Sequence, residues 1–258
     1  MTSFLIALKS SVLTEITKQK KTLALWGAIL APLFVVTVNF LIFFSHPELL
    51  KKAETNPWLK IAGNASNIYS ILMLPLLITL VAFIVNNVEH KSNGWKHLFA
   101  LPVSRANIYI GKIVVASGLV FLSLALFDVF LILSGKMLAS LHPEIHFENF
   151  AMNNEIIITS IKIFLASLFI LMIQFVISIN SKNFLVSIGI GVAGTIGTSM
   201  VLSWEHSNWI PYALPMWASQ DLYKMDFSFL KEVILYSIAG STIIFAIGLI
   251  FLRRKNIN

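Results

Sequence analysis

The chain has 258 residues, of which 57% are hydrophobic and only 12% are charged, and it contains no cysteine. A soluble domain carries about 25% charged residues and keeps a polar exterior, although it buries roughly three quarters of its surface. The composition excludes a soluble enzyme, a disulfide-stabilised secreted domain and a disordered chain, and it indicates an integral membrane protein.

Six apolar segments are each long enough for a helix to cross about 30 Å of hydrocarbon. They occupy residues 23–44, 68–85, 113–134, 156–180, 184–203 and 233–252, and only Asp128 and Lys162 bring charge into them. Helices are favoured because an open sheet in lipid leaves backbone groups unpaired, and barrel strands would show shorter alternating segments. We therefore predict an all-α membrane protein with six transmembrane helices in one domain, residues 1–258.

Three segments outside these spans have a length or a residue pattern that predicts a separate element. Residues 1–22 place apolar side chains at helical spacing among lysines, which predicts an amphipathic helix in the inner membrane interface; a disordered tail is the alternative. Residues 86–112 form the one sizeable inner loop. Residues 204–232 form the largest outer segment, whose Trp and Tyr residues suit the headgroup level and whose Pro211 and Pro215 favour a short re-entrant element.

The distribution of Lys and Arg predicts the orientation of the chain. With the amino terminus inside, the inner segments hold 12 basic and 2 acidic residues, whereas the outer segments hold 6 basic and 9 acidic residues. Basic residues near helix ends stay in the cytoplasm, so both termini are expected inside. The basic excess lies at helix ends and forms no clustered stripe, so membrane lipid, and not nucleic acid, is the expected partner.

Catalytic and metal-binding patterns are missing from the sequence. All six histidines lie outside the spans, and no H-E-x-x-H, G-x-S-x-G or Walker A motif occurs. His142, Glu144 and His146 share an outer loop, but Pro143 prevents a helical presentation, which favours a solvated loop over a metal site. We therefore predict no catalytic residue, no metal and no cofactor on this chain, so any ATP would be hydrolysed by another chain.

Four glycines follow one another in the fifth apolar segment. Gly189, Gly191 and Gly194 match the dinucleotide-binding fingerprint by letter, but no strand precedes them and no acidic residue follows about 20 positions later. Together with Gly197 they indicate a face of small residues on which membrane helices approach closely.

The inner loop combines large apolar with basic residues. Trp95, Leu98, Phe99 and Leu101 would form the apolar side of a short helix that ends at Pro102. Such a face at the membrane edge predicts a docking element for a cytoplasmic partner, and an interfacial helix that touches only lipid is the alternative.

The residue order in this loop also resembles a known family. Glu89 is followed by Gly94-Trp95, then by Leu101-Pro102 with Ser104-Arg105, and finally by Gly111-Lys112. This order resembles the loop between the second and third helices of the membrane subunits of ABC type-2 exporters. The six spans, the amphipathic start and the outer segment extend the resemblance to the whole chain. It is most similar to the short permeases of lantibiotic self-protection and bacitracin-resistance transporters.

The resemblance implies a permease of the bacterial plasma membrane that pairs with a second permease, identical or homologous, and with two ATPase subunits that bind ATP and Mg²⁺. The loop would be the coupling helix, with Glu89 and Arg105 contacting the ATPase or locking the loop, Trp95 and Phe99 packing it, and Gly94 and Pro102 completing the motif. The implied substrates are amphipathic antimicrobial peptides, lipid-like molecules or drugs. The alternatives are an intramembrane enzyme, disfavoured by the missing catalytic groups, and an ATP-independent receptor.

Asp128 and Lys162 remain as the two charges within the spans. Asp128 lies six residues before the outer end of its span and Lys162 six residues after the outer start of the next, so both are about 9 Å deep. We predict an ion pair between them, whose role is structural or lies in the transport path. Snorkelling of Lys162 towards the outer interface is the alternative.

Overall fold

The computed structural model describes residues 2–51, 56–91, 104–150, 154–181, 183–220 and 227–254, with side chains described except at 2–5, 90–91, 227–230 and 253–254. These residues form helices joined by short turns, without a strand among them. The helices are α1 (Thr2–Gln19), α2 (Leu23–Ser45), α3 (Pro57–Ile68), α4 (Leu74–Lys91), α5 (Arg105–Leu141), α6 (Glu155–Asn180), α7 (Phe184–Met200), α8 (Leu214–Ser219) and α9 (Phe227–Arg254).

Five stretches of helix are long and apolar enough to cross a membrane. They are Leu23–Ser45, Pro57–Glu89, Arg105–Leu141, Glu155–Asn180 and Lys231–Leu252. The predicted all-α membrane class is thereby confirmed, and five of the six predicted spans coincide with such helices. The remaining one, predicted at 184–203, corresponds to the 17 residues of α7, which are about 26 Å long. The six-span count therefore stays a prediction.

Two of the spanning helices are longer than their apolar runs. α3 begins with Pro57 after Asn56, whose side chain accepts a hydrogen bond from the amide of Trp58 at 2.9 Å. A π-helical turn at Tyr69–Met73 then joins α3 to α4. Ser104 caps α5 in the same way, accepting from the amide of Asn107 at 3.2 Å, eight residues ahead of Lys112. Polar residues inside these helices hide their true starts from a hydropathy pattern.

Polar side chains inside the bundle are joined across helices. The hydroxyl groups of Tyr69 and Ser123 lie 2.7 Å apart, and the Asn86 amide donates to the hydroxyl of Ser178 at 2.7 Å. In hydrocarbon such groups need partners within the protein, and these bonds tie α4 to α6 and the π-helical turn to α5.

The outer surface of the bundle is strongly apolar. More than half of the side-chain surface is exposed at several large apolar residues: Phe34, Leu41, Val129, Leu133 and Ile243. Contiguous apolar surface of this kind is unfavourable in water and suits contact with lipid chains.

Helix α1 packs against α5 with an unexpected face. Glu15 and Gln19 are buried, whereas Ile6, Leu13 and Ile16 are exposed. The predicted helix within residues 1–22 thus exists, and its polar side faces the protein because charged partners lie there. Its location in the membrane interface stays a prediction.

Of the predicted outer segment 204–232, the structure describes residues 204–220 and residues 227–232, which begin α9. Residues 204–220 include two short 3-10 turns, at Ser207–Trp209 and Pro211–Ala213, followed by α8, which packs on α6 and α9. Trp204 and Trp209 are exposed, as expected of side chains at a headgroup level. A re-entrant path through the membrane stays a prediction for this segment.

Candidate functional site

Four charged side chains from three helices meet in one cluster, which we call the charge cluster: Glu15, Lys18, Glu89 and Lys112. The Lys112 ammonium donates to Glu89 Oε2 at 2.6 Å and to Glu15 Oε2 at 2.8 Å. The Lys18 ammonium donates to Glu89 Oε1 at 2.8 Å and to Glu15 Oε1 at 2.7 Å. Each lysine therefore bridges both carboxylates, and the four formal charges sum to zero.

The charge cluster is buried. Lys112 is 1% exposed and Glu15 and Glu89 are each 2% exposed, while the side chain of Lys18 is 25% exposed. The third donor of the Lys112 ammonium is used by the backbone oxygen of Val85 at 2.9 Å. Buried charges need this complete pairing, because an ion that loses its partner in the interior is strongly destabilising.

The state of Lys18 depends on its two carboxylate partners. Burial by itself lowers the pKa of Lys18, but the hydrogen bonds from Lys18 to Glu15 and Glu89 and the attraction of both carboxylates outweigh burial. The pKa of Lys18 is therefore raised above its ordinary value of 10.5. Lys18 therefore keeps its positive charge throughout the neutral pH range.

Close approach of α1 to α5 brings Glu15 within reach of Lys112. Gly111 lies directly against Ser11, and a Cβ atom at Gly111 would come to 2.5 Å from Ser11 Oγ. The Ser11 hydroxyl also donates to the backbone oxygen of Asn107 at 3.2 Å. Gly111 belongs to the loop motif, and its place in the structure explains why a small residue is needed there.

The charge cluster includes residues from both helices that flank the predicted coupling loop. Glu89 is near the end of α4, and Lys112 is in the second turn of α5. Between these helices lie Gly94, Trp95, Phe99 and Pro102, which are outside the described residues, so their predicted coupling role is untested.

Arg105 begins α5 and connects it to the last helix. Its Nη1 atom donates to the backbone oxygen of Leu252 in α9 at 3.4 Å. One turn later, the Tyr109 hydroxyl donates to the backbone oxygen of Phe245 at 3.2 Å. The first turns of α5, which follow the loop, are thus joined to α9 as well as to α1 and α4.

Glu89 and Arg105 had been expected to contact an ATPase or to lock the loop. Both oxygens of Glu89 are engaged by lysines, and Arg105 is half-buried against α9. The predicted role of both residues, in contacting an ATPase or in locking the loop, stays a prediction. The sequence had not singled out Glu15 and Lys18 as site residues; their signal was a pair of opposite charges one turn apart in α1.

Asp128 makes a helix contact that the sequence did not foresee. Its carboxylate, 9% exposed, accepts a hydrogen bond from the hydroxyl of Ser160 at 2.6 Å, which joins α5 to α6. Lys162 follows two residues later on α6 and is half-buried. The ion pair between Asp128 and Lys162 stays a prediction.

The four glycines of α7 have two different environments. Gly191 lies against Thr79 of α4, and Gly194 lies against the ring of Tyr212, so these two allow close packing inside the bundle. Beside Gly189 and Gly197, a Cβ atom would meet open space within 4 Å in the described structure. The side of α7 that carries these two glycines is exposed.

Two histidines between α5 and α6 lie beside neighbouring carboxylates. His142 Nδ1 lies 3.2 Å from Glu144 Oε1, and His146 Nδ1 lies 3.1 Å from Glu148 Oε1. Among the side chains that the structure describes, no three His, Asp or Glu residues converge as a metal site would require.

The comparison with curated proteins gives no match to this chain. The family model described as "ABC-2 family transporter protein" matches residues 11–198, more than two thirds of the chain. The matched range contains the whole charge cluster and four of the five long apolar helices. Such permeases are the membrane subunits of transporters and work with ATPase subunits. The chain is therefore a multi-pass membrane protein that belongs to the ABC-2 transporter family.

Proposed function

We propose that the chain is the permease subunit of an exporter, energised by two separate ATPase subunits that bind ATP and Mg²⁺. The observation that carries this proposal is the charge cluster. It joins α1, α4 and α5 at the two ends of the loop that resembles a coupling helix. A cytoplasmic partner that pushes on residues 92–103 would act on three helices at once.

In this proposal the charge cluster transmits a push on the loop to the helices. Lys112 is held by Glu89 from α4 and by Glu15 from α1, and Arg105 adds a contact to α9. Because the two Lys112 contacts are short and buried, the cytoplasmic ends of α1, α4 and α5 move as one body rather than separately. ATP binding and hydrolysis on the partner then alternate the permease between two arrangements, and the chain itself performs no chemistry.

We infer that a second permease, identical or homologous, packs against α7. Gly189, Ala193 and Gly197 recur at intervals of four residues on an exposed side of this helix. Small residues at this spacing allow two helix backbones to approach closely in lipid. In this arrangement α7 also crosses the membrane and completes the six spans, and both termini lie on the inner side of a bacterial plasma membrane.

The proposed cargo is an amphipathic antimicrobial peptide, such as a lantibiotic or bacteriocin, or a lipid-like or drug molecule. Export of such molecules would give resistance to antimicrobial peptides. The apolar exterior and the buried polar side chains support a path at the edge of the bundle, open to a molecule that already lies in the bilayer.

Purification of the tagged chain from host membranes in mild detergent tests the proposal. We expect a Walker-motif ATPase in a fixed ratio to the chain, and we expect Trp95→Ala to lose it while the unfolding temperature of the permease is unchanged. Lys136→Gln, an exposed lysine of α5, serves as the control and should retain the ATPase. A permease that purifies without any ATPase and transports without ATP would contradict the proposal.

A further inference from the structure

A groove of about 380 Å³ lies between α1, α2 and α5, apart from the charge cluster. Its apolar wall is formed by Val12 and Ile16 of α1, Leu25 of α2, and Val114, Leu119 and Leu122 of α5. Ile16, Val114 and Leu122 are also exposed, so the groove opens on the surface of the bundle. The volume is in the range of pockets that hold small ligands.

The shape of the groove suits one extended hydrocarbon chain. From Val114 to Leu122 it follows α5 for about 12 Å. Gly118 forms part of its floor, and a Cβ atom at Gly118 would have nothing within 4 Å. Open space beside a glycine in an apolar wall is what a flexible acyl chain can occupy.

Two residues with polar donor groups, Gln19 and Lys20, are among those that line the groove. Gln19 lines it and is 3% exposed; its Oε1 accepts from Thr22 at 3.0 Å, but its buried Nε2 has no partner among the described residues. An unsatisfied buried donor is costly, which points to an acceptor from outside the chain. Lys20 also lines the groove, is exposed and forms no ion pair with the described residues.

We propose that this groove binds one anionic phospholipid from the surrounding bilayer. Its acyl chain lies along α5 beside Gly118, its phosphate faces Lys20, and one of its oxygens accepts from Gln19 Nε2. The proposal assigns a resident lipid that braces α1 against α5, and it is independent of the transported cargo and of the ATPase. The lysine selects anionic over zwitterionic headgroups.

Native mass spectrometry of the purified chain, without ATPase or ATP, tests the lipid site. The probes are phosphatidylglycerol and phosphatidylcholine, added separately to delipidated protein in detergent. Gly118→Phe fills the groove from a position with open space. Ala125→Phe is its control, two turns along α5 at an exposed position outside the groove. Lys20→Gln removes the cation, and Lys9→Gln, an exposed lysine elsewhere on α1, is the matched control.

We expect the wild type to retain one phosphatidylglycerol and to prefer it over phosphatidylcholine. Lys20→Gln should weaken phosphatidylglycerol binding about fivefold, and Gly118→Phe should abolish the retained lipid, while both controls behave as wild type. Phosphatidylglycerol should also raise the unfolding temperature of the wild type and of Ala125→Phe but not of Gly118→Phe, which separates a filled groove from a misfolded chain.

Three outcomes would overturn the lipid site. They are equal retention of phosphatidylglycerol by Gly118→Phe and wild type, equal retention of the two lipids by the wild type, and displacement of the bound lipid by an amphipathic peptide, which would assign the groove to cargo. None of these outcomes depends on ATP, so the lipid site and the proposed permease function are tested independently of each other.

Discussion

At the scale of single residues, the charge cluster joins α1, α4 and α5 through side chains that lie far apart in the sequence. Glu89 and Lys112 stood out in the sequence because the loop motif contains both, but their pairing with each other and with Glu15 and Lys18 did not. Glu15 and Lys112 are 97 residues apart in the chain, and Lys18 and Glu89 are 71 apart. Such pairing depends on how α1 packs on α5, which no local pattern encodes. Ser160 beside Asp128 was missed for the same reason.

Lys112→Gln should destabilise the chain strongly. Its removal leaves Glu15 and Glu89 buried with only Lys18 between them, at a cost of about 3–5 kcal/mol. The double change Glu89→Gln with Lys112→Gln removes one charge of each sign and should recover part of this loss. Unfolding of the purified chain in detergent measures both, with Lys136→Gln as a control within about 0.5 kcal/mol of wild type. Additive losses in the double variant would refute the pairing.

The raised pKa of Lys18 predicts a pH dependence. A lysine whose pKa is higher in the folded than in the unfolded state stabilises the fold fully below its ordinary value of 10.5, and this contribution is lost as the pH rises through the folded pKa. We expect the difference in unfolding temperature between wild type and Lys18→Gln to be constant up to about pH 10 and to shrink above it. A difference that already disappears near neutral pH would show that Lys18 is not paired.

At the scale of helices, long apolar runs predicted the existence of the elements better than their ends. The second long apolar helical stretch begins at Pro57 rather than at residue 68, because Lys60, Asn64 and Asn67 keep residues 57–67 out of the apolar run while the helix continues through the π-helical turn. Amphipathicity predicted α1, but it did not show that the polar side would face the protein. The polar side faces the protein because Lys18 pairs with the carboxylate of Glu89 and Glu15 pairs with the ammonium of Lys112.

Gly111→Ala tests the packing of α1 on α5. The added methyl group would collide with Ser11, and overpacking of this kind costs about 1–3 kcal/mol. Gly118→Ala, two turns along the same helix, meets open space and should be neutral or stabilising by up to about 1 kcal/mol. Ser11→Gly combined with Gly111→Ala should restore part of the loss. Equal unfolding temperatures for the two alanine variants would contradict the close approach at Gly111.

At the scale of the whole molecule, the orientation rests on the placement of Lys and Arg and is open to a direct test. The chain has no cysteine, so single cysteines can be labelled in intact cells with a membrane-impermeant maleimide. We expect labelling at Glu148→Cys and Glu205→Cys from outside, and at Lys9→Cys and Asn183→Cys only after permeabilisation. If residues 183 and 205 were labelled from the same side, α7 would not cross the membrane and the six-span arrangement would be wrong.

The decisive measurement is the distance between spin labels on the two sides of the charge cluster, taken in the complex with the ATPase. Labels at Lys9→Cys of α1 and Asn180→Cys of α6 are both exposed and lie outside the cluster. We expect ATP and Mg²⁺ to shift this distance in the wild type, and we expect no shift in a folded Lys112→Gln variant that still binds the ATPase. A distance that ignores ATP in the wild type, or that shifts equally in both proteins, would contradict transmission through the charge cluster.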